Sequence, residues 1–142
     1  MLTSENYYLD KEHFSVSLFK RFQKCPACAV SDFKSEKSKA LLLGSFVDEA
    51  LTGTEESMRQ FLFDNEKEIF KKGGGKYAEF VQAEETIDRI KEQPLMMHYL
   101  SGEHQRIMTG EIEGVPFKIK MDSYKPGEYI ADLKYMASLR AP

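Results

Sequence analysis

The chain has 142 residues, 42% of them hydrophobic, and a formal net charge of −3 at pH 7, which suits one domain with a real core and excludes a disordered or low-complexity chain. No run approaches the roughly 18 apolar residues of a membrane span, and MLTSENYYLDKEHF has neither the basic start nor the apolar centre of a signal peptide, so a cytoplasmic protein with no membrane partner is expected. A mildly acidic chain binds nucleic acid only through a local basic surface, because phosphate contacts need Lys and Arg.

The first predicted helix lies in SVSLFKRFQKC, with Ser15 or Ser17 as N-cap and Val16, Phe19 and Phe22 at helical spacing. It runs into KCPAC, where Cys25 and Cys28 have the spacing of a redox pair or of half a metal site. A redox pair belongs between a strand and a helix, and a four-ligand zinc site needs a second pair that this chain lacks. His98 and His104 have the wrong spacing to supply it. The pair reads first as structural or incidental thiols, with a redox role or ligands completed elsewhere as the alternative.

A second helix is expected in SEKSKALLLGSFVDEALTG, starting with a Ser-x-x-Lys variant of the capping pattern and stopping at Gly53, with Ala40, Leu43, Gly44, Val47 and Leu51 as its apolar stripe. TEESMRQFLF and KYAEFVQAEETIDRIKEQ form the third and fourth. Between them KKGGGK lacks the Gly-Lys-Ser/Thr ending of a phosphate loop and reads as a mobile connector. A short helix is expected after Pro94.

After Gly102 the hydrophobic period drops to two. HQRIMTGEIEGVPFKIKMDSYKPGEYIADLKYM is punctuated by Glu113-Gly114 and Pro126-Gly127, which predicts three antiparallel strands in a meander. The expected fold class is α+β: one domain over 1–142, mainly helical over 1–101, with the β-meander over 102–136. The meander leaves an open edge at its last strand, so a helix, a further stretch of chain or a homo-oligomeric partner is expected to cover it.

In the middle strand Phe117, Ile119 and Met121 take one face, read as the core face, and Lys118, Lys120 and Asp122 take the other. With a three-residue loop from Pro126 to Glu128, Asp122 lies opposite Asp132; with a two-residue loop the two acids fall on opposite faces. A type II Pro-Gly turn matches hairpin twist poorly, which favours the longer loop. Facing carboxylates repel, so this register points to a cation, and hard Mg²⁺ or Mn²⁺ suits such oxygen donors. Lys134, two residues after Asp132, could orient a water or offset charge on a phosphoryl group. Lys118 and Lys120 are candidate DNA-phosphate contacts.

These residues resemble the PD-(D/E)XK nuclease superfamily, whose core is an Asp followed by (Asp/Glu)-x-Lys on the adjacent strand; here Asp122 is followed by Asp132-Leu133-Lys134. ALLLGSFVDEAL resembles the Gly-x-x-x-His helix of the exonuclease branch, with Asp48 in the histidine position. FSVSLFKRFQKCPA is similar to that branch's S-x-S-x-x-x-x-F-x-x-CP opening, and the strand block resembles phage exonucleases of the exodeoxyribonuclease VIII type. The resemblance implies a restriction-endonuclease-like core and a Mg²⁺- or Mn²⁺-dependent exonuclease acting on DNA in phage recombination beside a single-strand annealing protein. It implies Asp122, Asp132 and Lys134 as catalytic residues, and Asp122, Asp132, the backbone carbonyl of Leu133 and Asp48 as metal ligands. A structure-specific endonuclease, or a non-catalytic DNA-binding module with the nuclease fold, is the alternative. Tyr135 departs from the usual Thr or Ser. The branch's helical Gln-x-x-x-Tyr motif does not appear before Pro142, so the domain reads as incomplete and the chain alone is expected to be weakly active or inactive.

Overall fold

A serine opens each of the two main N-terminal helices, because its hydroxyl accepts a backbone N–H that the first turn leaves unpaired. In the computed structural model, which describes residues 2–4, 6–31 and 38–136, Ser15 accepts from Leu18 N–H and starts α1 (Val16–Lys24). Cys25 ends α1 and caps α2 (Pro26–Val30), its sulfur accepting from Cys28 N–H at 3.2 Å. The two cysteine sulfurs are joined in a disulfide at this corner. Ser38 accepts from Leu41 N–H and starts α3 (Lys39–Thr52), which stops at Gly53 as the sequence suggests. Residues 32–37, at the expected opening of this helix, lie outside the described residues.

Thr54 and Ser57 form a reciprocal capping box on α4 (Glu55–Asp64). A short α5 (Glu66–Ile69) follows, one that the periodicity did not announce. The KKGGGK stretch, read from the sequence as a mobile connector, forms a closed turn: Phe70 and Lys76 form an antiparallel bridge, and Lys71 N–H donates to Gly75 O at 2.9 Å. Gly74 and Gly75 sit at φ +88° and +75°, a conformation in which glycine carries no Cβ penalty. Then come α6 (Ala78–Lys91) and α7 (Pro94–Tyr99), the latter with Pro94 in its first turn.

The apolar faces of α3 and α6 meet. Phe46, Val47 and Leu51 pack with Phe80, Ala83 and Ile87, and Ile69 and Leu100 close the cluster. The Phe46 and Phe80 rings are edge-to-face, 5.3 Å between centroids. Burying each such side chain contributes about 1.5–3 kcal/mol. No helix among the described residues is long and apolar enough to cross a membrane.

The strands are β1 (Glu103–Ile112), β2 (Val115–Lys125) and β3 (Tyr129–Ala131), an antiparallel sheet in the order β1-β2-β3. Helices followed by a three-stranded meander make the fold α+β, as the change of period predicts. Glu113 and Gly114 both have positive φ, 50° and 79°, the conformation of a two-residue hairpin turn whose twist matches the strands. The second hairpin has the three-residue loop: Lys125 pairs with Tyr129, and Gly127 sits at φ +75°. The β2–β3 ladder ends at Ser123–Ala131, one pair before Asp122 would face Asp132. The third strand is therefore much shorter than the alternation up to Met136 suggests.

The expected division of β2 into a core face and a polar face does not hold. Met121 is buried, but Ile119 is 42% exposed and Lys118 only 6%. The N-terminal segment is the cause. Phe14 forms a parallel bridge with Phe117, and Lys118 Nζ donates to Tyr7 O at 2.6 Å, Asp10 O at 2.8 Å and Asp10 Oδ2 at 2.9 Å. Those acceptors stabilise the buried ammonium.

Candidate metal centre

The side chain of Asp122, on β2, is held by two partners, one on each oxygen. Its Oδ2 accepts from Leu133 N–H at 2.7 Å, and its Oδ1 accepts from Gln105 Nε2 at 3.4 Å. Asp48 reaches the same place from α3. Its Oδ1 accepts from Thr52 Oγ1, one turn on, at 3.3 Å, and its Oδ2 accepts from Gln105 Nε2 at 2.9 Å. One amide nitrogen therefore meets an oxygen of each acid.

Burial pushes the Asp48 carboxyl above the ordinary aspartate range, and the negative charge of Asp122 pushes it further; the Thr52 hydrogen bond and the charge of Lys120 work the other way. Two carboxylates that meet on one amide nitrogen have a use for a cation. The Lys120 ammonium lies over the Tyr8 ring at 4.8 Å and the Tyr7 ring at 5.6 Å.

Asp132 and Lys134 follow immediately after β3 and form an ion pair with each other, their side chains 56% and 70% exposed. Between and after them Leu133 and Tyr135 pack against the helical core. The alternation read from the sequence is thus kept here: 133 and 135 inward, 132 and 134 outward. The Leu133 N–H bond ties this segment to Asp122, which puts Asp132 one residue from that carboxylate's backbone partner.

Of the residues expected at the site, Asp48, Asp122 and the Leu133 backbone are brought together, and Asp132 and Lys134 sit beside them as a surface pair. Lys118 is placed elsewhere: it is buried under the N-terminal segment and engaged with Tyr7 and Asp10, so the expected phosphate contact is corrected to a structural clamp, while Lys120 is partly buried over the Tyr7 and Tyr8 rings. Gln105 was not foreseen. It lies in β1 opposite Asp122, between the pairs His104–Ser123 and Arg106–Met121, so the two-residue Glu113-Gly114 turn was the signal that could have placed it.

Among the described residues, Asp10, Glu12 and His13 are the one group of three ligand-type side chains whose ligand atoms lie within 4.8 Å of one another; Asp48, Asp122 and Asp132 do not approach one another that closely as a trio. Asp10 already holds the Lys118 ammonium, which opposes another cation there. Among the described residues no ammonium is hydrogen-bonded to the Asp48–Asp122 pair, although the Lys120 charge acts on Asp48, and its donors are all hard oxygens, the set that Mg²⁺ and Mn²⁺ prefer.

The sequence over residues 15–141 matches the family described as a PDDEXK-like domain of unknown function (DUF3799). The chain belongs to this PD-(D/E)XK family. It is also similar to the crystal structure of a provisionally assigned exonuclease from Eubacterium rectale, with 46% identity and a TM-score of 0.83 over 97% of this chain and 55% of that protein. The chain thus spans about half the length of that relative. No curated protein matches it significantly.

Proposed function

We propose that this PD-(D/E)XK chain forms the ion-binding part of a divalent-metal-dependent exonuclease that hydrolyses DNA phosphodiester bonds. The observation that carries the reading is the convergence of Asp48 Oδ2 and Asp122 Oδ1 beside the backbone of Leu133. Asp48, Asp122, Asp132 and the Leu133 carbonyl would hold Mg²⁺ or Mn²⁺. A bound ion would supply Lewis acidity, activating a water and offsetting charge on the phosphoryl oxygens.

The chain's own residues do the rest. Asp122, held at Oδ2 by Leu133 N–H, presents its other oxygen in a fixed direction. Lys134 pairs with Asp132 at the surface, and such an exposed pair is worth less than about 1 kcal/mol, so its ammonium can turn to a phosphate at little cost. Lys120 can meet the strand backbone on the approach. The setting in phage recombination beside a single-strand annealing protein rests on the resemblance of the N-terminal opening and strand block.

The test uses end-labelled linear duplex and closed circular DNA with Mg²⁺ or Mn²⁺, against EDTA, for the native full-length protein and its Lys134→Ala variant, with the 142-residue chain alone as the comparison expected to be weakly active or inactive. Metal-dependent loss of the linear substrate alone, abolished in Lys134→Ala, is expected. Cleavage of the closed circle would make the protein an endonuclease, and metal-independent or Lys134-independent digestion would overturn the assignment.

A further inference from the structure

Gln105 is the one non-glycine residue inside a described strand with a left-handed backbone, at φ +51°. Its neighbours His104 and Arg106 pair normally with β2, while Gln105 drops out of the ladder. A glutamine gains nothing locally from this conformation, and strain of this kind persists where the surrounding structure or a function requires it. What it achieves here is the placement of one amide between two acids.

The hydrogen bonds around it divide in an informative way. Each acid has one oxygen engaged by its own support, Asp48 Oδ1 by Thr52 and Asp122 Oδ2 by Leu133 N–H. The remaining oxygens, Asp48 Oδ2 and Asp122 Oδ1, both receive Gln105 Nε2, at 2.9 and 3.4 Å. An amide NH₂ has two hydrogens, one for each carboxylate, and the same group carries an acceptor oxygen on its other side. A cation placed between the acids would repel the NH₂ and attract the carbonyl.

We propose that Gln105 is a further member of the ion site, joining Asp48 and Asp122 through its NH₂ in the ion-free protein and turning its carbonyl oxygen to the ion when one binds. This rests on the reading of Asp48 and Asp122 as ion ligands. Gln105 then does two jobs with one side chain: it offsets carboxylate repulsion before loading and adds a neutral hard oxygen after it.

The experiment is Mn²⁺ titration calorimetry without DNA, paired with thermal unfolding in EDTA and in Mn²⁺, on the wild type, Gln105→Ala, Gln105→Glu, Gln105→Lys and Asp122→Ala. Gln105→Ala should bind Mn²⁺ on the order of 10-fold more weakly, as loss of a supporting partner does at metal sites. Gln105→Glu should bind at least as tightly as wild type, melt lower in EDTA because a third carboxylate joins the pair, and show a larger Mn²⁺-induced rise in Tm. Gln105→Lys should bind no Mn²⁺ yet melt no lower than wild type in EDTA, since its ammonium stays between the acids. Wild-type affinity in Gln105→Ala, or Gln105→Glu no tighter than Gln105→Lys, overturns the inference; the second comparison decides it even if Gln105→Ala does not fold. Undiminished Mn²⁺ binding by Asp122→Ala would instead overturn the ion site itself. That result is distinguishable from loss of binding in Asp122→Ala alone, which would remove only Gln105 from it.

Discussion

Asp122 Oδ2 accepts the backbone N–H of Leu133 at 2.7 Å, just where the β2–β3 ladder has run out of backbone pairs. A carboxylate takes over from a carbonyl, and the chain after β3 is led toward the helical core, where Leu133 and Tyr135 pack. Asp122 is therefore a structural residue as well as a candidate ligand, and the two roles separate by substitution. Asp122→Ala should cost about 1–3 kcal/mol in urea unfolding, because it leaves a partly buried donor unpaired. Asp122→Asn should lose much less stability, since its amide oxygen still accepts, while Mn²⁺ binding falls in both. Equal stability of Asp122→Ala and wild type would show that the Leu133 bond holds nothing.

The Asp10–Lys118 clamp predicts a pH window. The Lys118 hydrogen bond holds the Asp10 carboxyl at about 2, below its ordinary value of 3.8. An acid whose folded pKa is depressed adds stability above its unfolded pKa and loses that stability as pH falls through the folded one. Melting temperature should therefore drop between about pH 4 and pH 2 in the wild type, and Asp10→Asn should drop less over the same window from a lower starting point. Parallel curves for the two proteins would remove Asp10 from the acid response.

Lys120 and Lys118, two residues apart, should behave differently toward DNA. Lys120→Ala should weaken binding to duplexes of any sequence and reduce the slope of log K against log salt by about 1, the signature of one lost phosphate contact. Lys118→Met should leave that slope unchanged and lower the melting temperature, because Lys118 is 6% exposed and bound to Tyr7 and Asp10. Fluorescence anisotropy across a salt series reads the first, calorimetric melting the second. A slope change in Lys118→Met would mean that the buried clamp opens to DNA.

In the helical core, Phe80→Ala should cost about 3–5 kcal/mol and Ile69→Val about 0.5–1.5 kcal/mol, since both side chains are fully buried and Phe80 stacks edge-to-face on Phe46. Denaturant unfolding gives both values. Ile69→Val should bind Mn²⁺ like the wild type, which separates core stability from the ion site. A Phe80→Ala cost below 1 kcal/mol would place the folding core elsewhere.

The sequence by itself determined the elements whose signals are local. Serine caps, the Gly53 stop, Pro94 and the switch from a period near 3.6 to a period of two each depend on residues a few positions apart, and the structure has α1, α3, α4, α6, α7 and the meander where they point. The hairpin register was also legible, because loop length and turn residues settle it: the poor fit of Pro126-Gly127 to a two-residue turn implied the three-residue loop. Only the tertiary structure decided how the faces of β2 are used. Alternation assigned Lys118 to an open polar face, but the acceptors that bury it come from Tyr7 and Asp10, more than 100 positions away, and no local pattern records them. The same holds at the site. Asp48 and Gln105 are 57 positions apart and Gln105 and Asp122 are 17 apart, so their meeting on one amide nitrogen depends on how α3 lies against the sheet and on a left-handed residue within a strand. Side-chain convergence of that kind is fixed by packing between elements, and periodicity within one element carries no information about it.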